Sequence, residues 1–263
     1  MPVARLVRKL SRRDIGVMRE LAAILIVAGA GIALSSCASD QTPAMAQEAQ
    51  AANDPLEPMN RQIFGFDQRL DETILKPTAE AYNKVIPEPA RNGVHNFLTN
   101  LNLPVVLAND VLQGDMDQAG KTFGRFGLNS TFGVGGIFDW ATDAGLPYRE
   151  NDFGLTLASY GVSEGPYLVL PFLGPDPPRD AAGQVADVFL DPTYYIKIRS
   201  HFWWSAGRYT LNVIDERARN VDSLEGIERS SVDLYASVRS LYRQHRRAQE
   251  HGGKPDVEDL PNL

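Results

Sequence analysis

Few residues in this 263-residue chain are spaced as chemistry would need them. Gly161-Val162-Ser163-Glu164-Gly165 fits G-x-S-x-G, in which a serine on a strained strand-to-helix turn acts as an acyl-transfer nucleophile. Asp187 or Asp191, followed by His201 or His245, would give an acid and a histidine in the required order. The flanks argue against it. Pro171 and Gly174 interrupt the segment that ought to form the nucleophile helix, and no alternation of strands and helices surrounds it. An ordinary turn is the reading, with a periplasmic lipid esterase using Ser163 as its competitor. His95, His201, His245 and His251 lack HExxH or other ligand spacing, so no metal is expected. Gly133-Val134-Gly135-Gly136 does not complete a dinucleotide fingerprint, so no cofactor is expected either. No residue is assigned a catalytic role.

The single cysteine, Cys37, has another use. Arg5, Arg8, Lys9, Arg12, Arg13 and Arg19 form a basic leader, and Leu21 to Leu34 is uncharged and mostly apolar. Ser35 and Ser36 then lead into the cysteine. This is a secretory signal, too short in its apolar part for the roughly 20 residues of a membrane-spanning helix. Leu34-Ser35-Ser36-Cys37 resembles the lipobox of bacterial lipoproteins, with Cys37 acylated and first in the mature chain. A lone cysteine cannot form an internal disulfide, which agrees with that role.

Of the 26 basic and 33 acidic residues, the leader holds six and two, so the remainder carries a net charge near −11. Nucleic acid is not an expected partner, because no basic stripe is available to neutralise phosphates. Anionic headgroups do not hold such a chain to a membrane; acyl chains and apolar faces must.

The elements follow from periodicity. Residues 1–36 are the leader, 37–53 a polar, alanine-rich flexible tether, 54–247 a helical domain and 248–263 a polar, disordered tail. Asp54-Pro55-Leu56-Glu57 reads as a capping box. Met59, Ile63, Phe66, Leu70 and Ile74 form the first apolar stripe, which Pro77 is expected to end. Val94, Phe97, Leu98 and Leu101 form a second, closed by Pro104, and a short apolar segment Val105 to Leu112 follows. Asp115 caps a helix bearing Ala119, Phe123 and Phe126. Trp204 to Val221 and Ser231 to His245 are helical in spacing. Trp203-Trp204 suits a membrane interface or a core, and Arg179-Asp180 a local ion pair or a cap.

Between Asn129 and Gly183 the chain is dense in glycine and proline yet rich in Leu, Ile, Val, Phe and Tyr. Irregular apolar backbone must be buried or line a cavity, because its N–H and C=O groups need partners. The fold class expected is mostly α, with this Gly/Pro-rich apolar segment irregular.

Several strings together are similar to one family. They run from Asp54-Pro55-Leu56-Glu57-Pro58-Met59-Asn60-Arg61 through Leu70-Asp71, Asn96-Phe97, Arg125-Phe126 and Asn129-Ser130 to Asp152-Phe153-Gly154, Gly165-Pro166-Tyr167, Leu170-Pro171, Gly174-Pro175 and Arg179-Asp180. Over about residues 53 to 247 the chain resembles the MlaA (VacJ) family of outer-membrane lipoproteins, with Asp67 where the family pattern suggests Asn. The resemblance implies a transport component, not an enzyme. It implies a ring of amphipathic helices lying in the inner leaflet of the outer membrane around a central amphipathic channel. Phospholipids misplaced in the outer leaflet would pass through it to a soluble periplasmic carrier, and trimeric porins would be partners. On that reading Gly133, Gly135, Gly136 and Phe138 are a mobile element beside the channel, and Tyr167, Leu170 and Pro171 belong to its wall. A structural lipoprotein that only scaffolds porins is the alternative.

Overall fold

A computed structural model describes residues 53–196 and 201–252. The expected leader, the tether up to residue 52 with Cys37, and the tail from residue 253 lie outside the described residues. The fold is mostly α. In chain order it comprises α1 (Glu57–Leu70), a π turn (Asp71–Leu75), α2 (Lys76–Val85), α3 (Glu88–Leu112), α4 (Met116–Thr131), α5 (Trp140–Asp143) and α6 (Phe153–Ser159). A two-stranded hairpin follows, β1 (Val169–Leu170) and β2 (Gly174–Pro175), antiparallel with Val169 opposite Pro175. Then come α7 (Pro178–Leu190), a 3₁₀ turn (Pro192–Tyr195), α8 (His201–Arg219), α9 (Val221–Ser230) and α10 (Leu234–Glu250).

Both prolines expected to end helices are instead absorbed. Pro77 sits just after the π turn, where Lys76 N–H bonds to Asp71 C=O, so its missing donor falls where the ladder is already re-spaced. Pro104 lies inside α3, which runs unbroken for 25 residues. Leu103, Val105 and Val106 around it are all buried, and their packing outweighs the one lost hydrogen bond. The expected capping box does not form: α1 starts without a side-chain cap, and Asp54 turns inward. Asp115 caps α4 by accepting from Gln118 N–H at 3.1 Å, and Asp152 and Asp233 cap α6 and α10 alike. α10 reaches Glu250, past the expected boundary at residue 247.

Helix contacts run in a closed circuit, α2 to α8, α8 to α3, α3 to α6, α6 to α10, α10 to α9 and α9 back to α2. The circuit is held by polar groups. Asp54 accepts from Tyr235 Oη at 2.5 Å, Arg239 Nη1 at 2.7 Å and Asn60 Nδ2 at 2.8 Å, with all four residues buried. Asn60 also accepts from Val169 N–H at 3.1 Å, so α1, α10 and β1 share one knot. Arg246 of α10 pairs with Asp152 at 2.6 Å and Asp180 at 2.9 Å, tying α6 to α7. Arg179-Asp180 is thus more than the local pair expected. Large apolar side chains meanwhile point outward, among them Phe123, Phe132, Phe172, Phe202 and Trp203, the last 72% exposed. No helix among the described residues is long and apolar enough to cross a membrane.

Candidate functional site

A cavity of about 550 Å³ is built mainly by two helices. From α3 come His95, Leu98, Thr99 and Asn102, at the i, i+3, i+4, i+7 spacing of one helical face. From α8 come Trp204, Ser205, Arg208, Tyr209, Asn212 and Glu216, again one face. Tyr148 and Glu150 of the α5–α6 connection, and Val188, Asp191 and Tyr194 near the end of α7, complete it. The lining is amphipathic: aromatic rings lie among amides, hydroxyls and charges. A second cavity of about 320 Å³, lined by Asp152, Asp176 and Asp180 with Tyr242, His245 and Arg246, shares Glu150 with the first.

A buried polar cluster fixes the wall. Asp215 of α8 lies 2.8 Å from His95 Nδ1 and 3.0 Å from Arg219 Nε, and Tyr82 Oη donates to its other oxygen at 3.3 Å. Burial alone would raise this carboxyl; the His95 and Arg219 hydrogen bonds overcome that and hold it below the usual carboxylate range. The cluster therefore locks α2 and α3 against α8. His95, Asp215 and Glu216 bring metal-type ligand atoms within 4.8 Å of one another, but Asp215 already balances the Arg219 cation. Tyr148 is 38% exposed, yet burial pushes its phenol up to about 12, with Glu150 adding to the rise. Protein surrounds it while its accessible surface opens into the cavity.

A family model described as MlaA lipoprotein matches residues 52–249. The chain belongs to the MlaA lipoprotein family. Among its MlaA relatives, the intermembrane phospholipid transport system lipoprotein MlaA of Escherichia coli (strain K12) is 39% identical, over 87% of this chain and 89% of its own. The protein of that name from Haemophilus influenzae is 32% identical over 91% and 95% of the two chains. A solved structure described as the structural basis for maintenance of bacterial outer membrane lipid asymmetry superposes with a TM-score of 0.68 at 40% identity. It covers 75% of this chain and 98% of that one.

None of the seven residues expected at the MlaA channel lines the larger cavity. Tyr167 is fully buried in an aromatic cluster, edge-on to Tyr235 and Tyr242 at 6.1 and 6.2 Å. Leu170 and Pro171 sit in the β1–β2 hairpin, whose tip is tied to α1 by Phe172 N–H donating to Asp67 at 2.9 Å. Gly133 to Phe138 form a turn after α4 in which Val134, Gly135 and Gly136 all take positive φ. Asn100 Nδ2 donates to Gly135 C=O and Asn96 Nδ2 to Ile137 C=O, anchoring the turn on α3. A Cβ on Gly136 would lie 2.3 Å from Asn100 Cβ, so only glycine fits there. Phe138 is exposed beside Phe132, Val134 and Trp140.

The Ser163 motif lies in an exposed connection between α6 and β1, with no helix directly after it, so the nucleophile elbow is not formed. Its candidate acids serve elsewhere, Asp187 accepting from Phe153 N–H and Asn109 Nδ2, and Asp191 pairing with Arg208. Of the tryptophan pair, Trp204 lines the cavity and Trp203 faces outward. Sequence reading missed the α3–α8 wall. Arg208, Asn212 and Glu216 recur every four residues, a pattern that normally marks a solvated helix face.

Proposed function

We propose that this lipoprotein is held by acylated Cys37 at the periplasmic face of the outer membrane and lies in its inner leaflet. There it removes misplaced phospholipids from the outer leaflet. The cavity between α3 and α8 is the conduit, and the lipid is handed to a soluble periplasmic carrier beneath. A trimeric porin is the neighbour that holds the ring in place. The observation that carries this reading is a partly inverted protein, in which many charge and amide groups are buried beside a small apolar core while many large apolar side chains face outward. In water such surface would be buried; against acyl chains it is stable, and a helix in a leaflet satisfies its own backbone. The amphipathic lining suits a molecule with a polar head and apolar tails.

The test is mass spectrometry of phospholipid after incubation with the purified lipidated protein, beside Ser163→Ala. Intact diacyl lipid on both supports the conduit; lyso-lipid that disappears in the variant would replace it with an esterase. The turn at Gly133–Phe138 is proposed to gate passage. Gly135 tests this better than Gly133. A Cβ at Gly133 would meet Phe138 O at 2.2 Å and break the turn, whereas nothing lies within 4 Å of one at Gly135. Gly135→Val has room but strains the turn's backbone, because Gly135 sits at φ +73°; it should slow lipid passage, and unchanged passage would remove the gating role.

A further inference from the structure

Charge inside the two cavities is lopsided. Glu150, Asp191 and Glu216 line the larger one, and Asp152, Asp176 and Asp180 the smaller, which Glu150 also joins. The cations among them are committed. Arg208 pairs with Asp191 at 2.5 Å, and Arg246 bridges Asp152 and Asp180. Among the described residues Glu150 and Asp176 have no ion-pair partner, and Glu216 has only the His95 ring at 3.9 Å. Asp176 is the extreme case: it is 2% exposed, lines the smaller cavity, and its Oδ2 has no hydrogen-bond partner. Burial pushes Asp176 up to about 7, and the charges of Asp180 and Asp152 add to the rise. Glu150 is exposed toward the cavities, yet the protein around it raises its carboxyl, and Asp152 and Glu216 add to the rise. Like charges repel across both cavities, and a cation that enters relieves the repulsion.

The rest of the lining says what kind of cation. A divalent metal needs several oxygens about 2.0–2.6 Å from one ion. Among the described residues only His95, Asp215 and Glu216 bring three such atoms within 4.8 Å, and Arg219 already neutralises Asp215. Tyr148, Tyr194, Trp204 and Tyr209 contribute aromatic rings, which attract ammonium groups. Resting on the conduit reading, we propose that the cavities select phospholipids whose headgroup carries an ammonium over net-anionic ones, with Glu150, Asp176 and Glu216 as the selecting residues.

The test incubates the purified full-length lipidated protein with equal amounts of phosphatidylethanolamine and phosphatidylglycerol of identical acyl chains, and quantifies bound lipid by mass spectrometry. The expected excess of phosphatidylethanolamine is about three- to tenfold, falling toward parity in the Glu150→Gln, Glu216→Gln double variant. Equal uptake by the wild-type protein, or an excess that the double variant retains, overturns the selection and leaves the conduit standing. Uptake of neither lipid overturns both. The wild-type ratio alone decides the point if the variant fails to fold. Glycerophosphoethanolamine serves as competitor: displacement of lipid at equal concentration would assign the site to a free headgroup and overturn lipid selection.

Discussion

The junction where α10 meets α1, α6 and α7 and the wall where α3 meets α8 use the same residue types to opposite ends. At the junction carboxylates and guanidiniums are dry and saturated: Asp54 with Arg239, and Asp180 with Arg246, leave at most a tenth of each side chain exposed. At the wall Glu216, Tyr209 and Trp204 stay open to the cavity. The difference teaches how a ring is closed when its large apolar groups face outward. Little apolar area is left to bury inside, so paired charges and amides must fix which helices meet. A buried ion pair adds little net stability over an apolar substitute, but leaving half of one is costly, and that asymmetry enforces a single arrangement. Around the cavity, Glu216 is left without that saturation, its one ion-pair contact being the His95 ring at 3.9 Å.

The largest effect should therefore come from halving a junction pair. Arg246→Ala strands Asp152 and leaves Asp180 with only Arg179 and Tyr242 Oη, each at 2.9 Å, as side-chain partners. A loss of about 3–5 kcal/mol is expected in denaturant unfolding of the detergent-solubilised protein. A loss below 1 kcal/mol would erase the contrast between junction and wall. Next in size is Tyr235→Phe, which removes the hydroxyl bonded to Asp54 at 2.5 Å but keeps the ring against Phe64. About 1–2 kcal/mol should be lost in the same measurement.

The two regions were not equally legible in the sequence. Helix starts were readable at Asp115, where a short acceptor precedes an apolar stripe and caps as expected. Asp54 looked just as good locally, but its carboxylate is claimed by Arg239 and Tyr235, more than 180 residues away. Pro77 and Pro104 misled for a related reason: a π turn and a buried face outweigh local propensity. The family, and with it the mostly helical fold, was legible because its strings recur in order along the body. The cavity was not. Its lining comes from four separated segments whose polar spacing on α3 and α8 matches that of a solvated face, and only the assembled ring turns that face inward. For Tyr167 an apolar, glycine-flanked segment says that the side chain is enclosed, and only the fold shows that Tyr235 and Tyr242 enclose it.

Asp176 gives a smaller effect with a definite pH window. In the unfolded chain it titrates near 3.8, and in the fold near 7. Between those values unfolding releases a proton that the folded protein keeps, so stability should fall as pH rises from about 4 to 7 and level off above. Asp187, pushed by burial to about 6, slopes the same way. Asp180 and Asp139, held below the ordinary range by their hydrogen-bond donors, contribute stability that is lost only on acidification below about 4. Asp176→Asn should flatten the slope and leave the protein more stable than the wild type at pH 8. An unchanged slope would mean that water reaches this carboxylate and that the smaller cavity is no drier than the wall.

The smallest change in stability, and the sharpest use of the comparison, belongs to the wall itself. Glu216→Gln and Tyr209→Ala alter side chains that are open to the cavity, so unfolding should shift by no more than about 0.5 kcal/mol in either. His95 and Arg219 remain on Asp215 in both variants, which keeps α3 against α8. If the cavity carries lipid, both variants should nevertheless change the amount or the kind of phospholipid recovered with the protein. Stability and lipid recovery then separate: junction variants lose both together, and wall variants lose only the second. A wall variant that unfolds like Arg246→Ala would mean that α3 and α8 are also held shut by these contacts, and that the cavity is a packing gap in a closed core.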